Sequence, residues 1–158
     1  MDILLVSLHI LAAVVWVGGM LFLSLVLAPL VRSRKAAPEF MALFRSAALR
    51  FRVVAWVAIG VLLLTGPMLL SQRGIDLAAL SSWPQVVRLK LALVGLLLLL
   101  TVSHDLVLGP RIGHAVAVPE SSRTAWDHFV IRTARWLPRV SLLLALAVVV
   151  TAAALARS

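Results

Sequence analysis

ILLVSLHILAAVVWVGGMLFLSLVLAPLV, residues 3–31, decides the fold class: these 29 residues between Asp2 and Arg32 hold one ionisable side chain, His9. An apolar run of about 18 residues or more reads as a membrane-spanning helix, because it covers a hydrocarbon core roughly 30 Å thick. This one is long enough to cross with some tilt. It is not expected to be a cleaved leader, since no basic segment precedes it, it is too long, and no small-residue cleavage site ends it.

Three further runs follow the same rule, giving spans at about 3–31, 53–72, 86–108 and 140–156. The second is bounded by Arg52 and Arg73 and carries Thr65-Gly66-Pro67, where a kink is expected near its end. The third starts with Arg88 and Lys90 in its first turns and stops at Gly109-Pro110; the fourth opens at Pro138 and closes at Arg157. With 63% hydrophobic and 13% charged residues, the 158-residue chain is far from the soluble average of about half apolar and a quarter charged. The expected fold is all-α: an integral membrane four-helix bundle forming a single transmembrane domain over 1–158, with short amphipathic interfacial helices.

Those interfacial helices are expected in two connections. Residues 36–52 place Phe40, Phe44, Ala48 and Phe51 on one helical face and Arg45 and Arg52 on another. Residues 123–137 set Trp126, Phe129, Val130, Thr133 and Leu137 against His128, Arg132 and Arg135. Such segments lie in the headgroup plane. No fixed-period repeat is present, although both halves read as helix, basic amphipathic connector, helix.

The net charge of +9 would suggest nucleic acid in a soluble protein. Here the 15 cations flank apolar runs, so they act as topology determinants and contacts to anionic lipid headgroups, and no nucleic acid partner is expected. The first and third connections hold Arg32, Arg34, Lys35, Arg45, Arg50, Arg52, Arg111, Arg123, Arg132, Arg135 and Arg139; the other side holds Arg73, Arg88, Lys90 and Arg157. This bias of eleven to four puts both termini outward.

An ionisable group inside a span is costly, so His9 is the first candidate for function. Ala13, Trp16 and Met20 share its face, and Ala12, Ala13, Gly18 and Gly19 would let a neighbouring helix or a flat cofactor come close. Neutral imidazole is the commonest metal ligand. The bland alternative is an imidazole bonded to a polar partner near the headgroups. Helix arithmetic sets His9 about 12 Å outward of its span's midpoint and Met68 about 8 Å outward of its own. A His and a Met at one level suit Cu(I), or supply the axial pair of a haem, although methionine in a span is more often filler. His104 lies about 10 Å on the cytoplasmic side of the third span, so it is a second and weaker metal candidate that should not share a site with His9. With Asp105 it can instead reach interfacial water or pair with Arg111. His114 and His128 fall in basic segments and are expected to be solvated. There is no cysteine, which excludes disulfides and thiolate ligands, and there is no hydrolase motif, so the sequence gives no support to hydrolytic catalysis.

Leu8-His9 with Trp16-Val17-Gly18-Gly19, then Gly60 to Thr65-Gly66, then Lys90-Leu91-Ala92-Leu93, resembles in order the copper resistance D (CopD) family of membrane domains. The segment from His104 to Arg111 looks like the end of the third helix in bacterial relatives. The resemblance implies copper uptake or tolerance at the bacterial inner membrane, with a metal donor at the outer face. A related group, the HemJ-type protoporphyrinogen oxidases, is similar in the histidine matching His9 and the lysine matching Lys90. That similarity implies haem b on His9 and an electron partner. Its third-helix histidine stands about one turn earlier than His104. Copper versus haem, and oligomeric state, stay open at this point.

Overall fold

The computed structural model describes residues 2–33, 38–109, 111–112 and 118–157. Arg34, Lys35, Pro110 and His114 lie outside them, as do the side chains of Arg32, Arg135 and Arg157. Among the described residues every regular element is helical and four helices are long and apolar enough to cross a membrane: Ile3–Val31, Pro38–Gln72, Gln85–Leu108 and Ala125–Ala156. The chain divides into two compact units, Met1–Trp83 and Pro84–Ser158.

In the first unit, α1 (Ile3–Leu21) opens on Asp2, whose carboxylate accepts from the Leu4 backbone N–H at 3.0 Å. This is an N-cap that satisfies one of the orphan donors of a helix start. A six-residue π-helical stretch, Phe22–Leu27, carries the chain into α2 (Ala28–Ser33). The return helix α3 (Pro38–Gln72) packs against α1. Its end is set by Gly74, with φ at 74°: Ile75 N–H bonds Leu70 O at 3.1 Å and Gly74 N–H bonds Ser71 O at 2.9 Å. That pair of bonds is the Schellman motif, which requires a left-handed residue where glycine has no Cβ penalty. The Asp2 N–H also bonds Gln72 Oε1 at 3.1 Å, which ties the start of α1 to the end of α3.

In the second unit, α4 (Gln85–Val102) continues through a second π-helical stretch, Ser103–Leu108, and α5 (Ala125–Arg157) packs back on α4. Thr124 caps α5 reciprocally with Asp127: Asp127 N–H donates to Thr124 Oγ1 at 3.2 Å and Thr124 N–H donates to the Asp127 carboxylate at 2.9 Å.

The expected interfacial helices are not separate elements. Residues from Pro38 run into the second span, and residues from Ala125 into the fourth, without a break, so those helices begin well before 53 and 140. The reason is local: no glycine or proline stands between 39 and 59, nor between 125 and 137. Pro67 and Pro138 both lie inside helices, so Pro138 does not open the fourth. At 1.5 Å per residue each long helix measures roughly 50 Å, about 20 Å more than a hydrocarbon core. The basic first third of each therefore extends past the apolar span. Val130 in that part is fully buried, whereas Trp126 and Phe129 stack on each other in the open, centroids 5.4 Å apart.

Many large apolar side chains are exposed and few are buried, Leu64 and Leu11 among the exposed, as expected of spans whose surroundings are lipid. The buried stripes are narrow and small: Ala12 and Trp16 on α1, Ala55, Ala58, Ile59 and Thr65 on α3.

Candidate functional site

Thr65 is one of two buried polar residues among the described ones, 4% exposed on the inner stripe of α3. Its hydroxyl donates to the Val61 carbonyl one turn back, at 2.7 Å. This bond is the usual way for a threonine to satisfy itself inside a helix, and it fixes the side-chain rotamer. His9 Nδ1 lies 2.7 Å from the same Oγ1. The His9 ring also rests beside Gly66, where a Cβ would meet its Cε1 at 3.8 Å. The half-buried imidazole is thus held from one side by the Thr65-Gly66 backbone turn and its hydroxyl.

The juxtaposition follows from a hairpin of antiparallel helices. His9 stands six residues from the start of α1 and Thr65 seven from the end of α3, which puts them at about 9 and 10 Å from the same end. The sequence reading treated Thr65 as part of a kink and missed it as the partner of His9. The signal was available: two polar groups at matching depth on consecutive antiparallel spans, each in need of a partner.

Of the other sequence candidates, Trp16 is buried beside Ala12 on the face of His9, and Met20 is half-buried about 16 Å further along α1. Met68, one turn beyond Thr65, is 55% exposed. Lys90, half-buried, and His104 belong to the second unit. His104 Nδ1 pairs with the neighbouring Asp105 carboxylate at 3.0 Å within the π-helical stretch, with His104 40% and Asp105 15% exposed. No cluster of three His, Asp or Glu side chains occurs among the described residues.

The model of the family described as copper resistance protein D matches residues 45–155, about two thirds of the chain. The chain belongs to the copper resistance protein D family. No curated protein and no solved structure matches it. The CopD match takes in Thr65, Gly66, Met68, Lys90 and His104, and begins after α1. His9 is joined to the matched region by its bond to Thr65. As a CopD-family chain with four candidate spans, this is a copper-related, multi-pass membrane protein.

Proposed function

We propose that this protein handles copper at the bacterial inner membrane, taking Cu(I) as cargo on His9 near the outer leaflet. The observation that carries the reading is the imidazole held inside a span by Thr65, in a chain of the CopD family. Met68 supplies a thioether one turn from Thr65, a suitable soft second donor. Both termini face outward, a metal donor delivers from that side, and the basic ends of α3 and α5, with Arg45, Arg52 and Arg132, sit on anionic headgroups at about 1 kcal/mol per cation.

The test is Cu(I) stoichiometry of the purified full-length protein in detergent. His9→Ala should abolish binding while leaving the helical content unchanged, because it removes a donor and little packing. Met68→Leu keeps volume without sulfur and should weaken binding less. Full stoichiometric binding by the His9→Ala protein would sink the assignment.

Haem b is the competing ligand, since the same imidazole, set beside the bare backbone of Gly66, would serve equally as an axial donor. A haem absorption spectrum in protein purified from cells, lost in His9→Ala, would decide for redox chemistry and against copper cargo.

A further inference from the structure

Two distances around one oxygen set the direction of the bond between His9 and Thr65. Thr65 Oγ1 has a single hydrogen and two close neighbours, the Val61 carbonyl oxygen at 2.7 Å and His9 Nδ1 at 2.7 Å. If that hydrogen pointed at Nδ1, two oxygens would face each other lone pair to lone pair at hydrogen-bond distance, in a region 4% exposed with no bulk water to screen them. The hydrogen therefore lies between Oγ1 and the carbonyl. Oγ1 is left as acceptor toward the imidazole, which must donate from Nδ1–H.

We propose that Thr65 is a positioning residue that locks the neutral His9 ring in its Nδ1–H tautomer, so that Nε2 is the ligating atom. The three-atom chain from the Val61 carbonyl through the Thr65 hydroxyl to the imidazole does what a carboxylate or carbonyl does behind many metal-bound histidines. It sets the tautomer and the ring plane and raises the basicity of the opposite nitrogen. Its location explains why the group is a hydroxyl. A carboxylate at this depth would bring a charge into the span, whereas threonine brings none and satisfies its own proton on the helix that carries it. Gly66 brings only backbone beside the ring at Cε1, where an added Cβ would stand at an ordinary contact distance of 3.8 Å.

The tautomer itself does not depend on copper, while its consequence for ligation rests on the copper reading, and the two fail separately. In metal-free, full-length protein labelled with 15N-histidine, the nitrogen chemical shifts of His9 should report a protonated Nδ1 and an unprotonated Nε2. Thr65→Val, matched in shape but without the oxygen, should abolish that preference and weaken Cu(I) binding, titrated against a competing chelator, by about 10- to 100-fold. Thr65→Ser should restore both, which a purely packing role for the methyl group would not do. A proton on Nε2 in the unaltered protein, or a Thr65→Val protein with tautomer and affinity unchanged, would overturn the proposal. The Nδ1–H tautomer in a protein that takes up no Cu(I) would sink the copper reading and leave Thr65 in its positioning role.

Discussion

A Cβ built on Gly19 would fall inside the ring of Phe51, whereas one on Gly18 would meet nothing within 4 Å. The adjacent glycines are therefore not equivalent: only Gly19 lets α3 come against the backbone of α1. Small residues at such crossings are how membrane helices approach without a hydrophobic driving force between them. Gly19→Ala should destabilise the first unit by about 1–3 kcal/mol, the usual cost of overpacking. Thermal unfolding in detergent should show it, with Gly18→Ala close to neutral and Phe51→Leu partly relieving the Gly19→Ala defect. Equal effects from the two glycines would refute the crossing. At this scale the sequence made His9 conspicuous, because an ionisable group stands out in a charge-free span. It did not name Thr65, because a hydroxyl disturbs hydropathy too little to be seen without its partner. Small residues were visible as permission for a close approach, but which glycine the neighbour uses depends on a helix phase that composition does not set.

The turn after α3 shows how an element can be ended by one residue. Gly74 adopts φ of 74° and both capping bonds depend on it, so Gly74→Ala should cost about 1 kcal/mol and fray the last turn, whereas Gly60→Ala, mid-helix with open space at the added Cβ, should stabilise if anything. Hydrogen exchange of the Ser71 to Ile75 amides is the measurement; unchanged protection would show that other contacts hold the end. Helix existence was legible in the runs of apolar residues, and the first and third helices start at Ile3 and Gln85, beside the expected 3 and 86. The starts of the second and fourth were not legible, because amphipathic and apolar segments can be one continuous helix when nothing between them breaks it. A membrane boundary is a change of surroundings, and the backbone need not register it.

At the scale of the whole chain the cation bias makes a claim about sidedness that can be checked directly. Reporter fusions after Arg157 should be active outside the cytoplasm, and fusions near Ala115 inside; the reverse pattern would invert every statement about the outer leaflet made for His9. Each unit contributes two of the four candidate spans. What hydropathy could not convey is that both units also share a finer plan: a leading helix with a π-helical stretch in its second half, Phe22–Leu27 and Ser103–Leu108, and a returning helix of 35 or 33 residues with an internal proline. A π-helical stretch holds one residue more than the α-helical turns it replaces. It acts as a phase slip, turning the side chains on either side of it by about 100° relative to an unbroken helix. Any face drawn through the last turns of the leading helices from a 3.6-residue wheel, the face of His104 and Asp105 included, is thus drawn one residue out of step. Deleting a single residue there would shorten the strip without breaking the helix, and would swing everything after it to a different side.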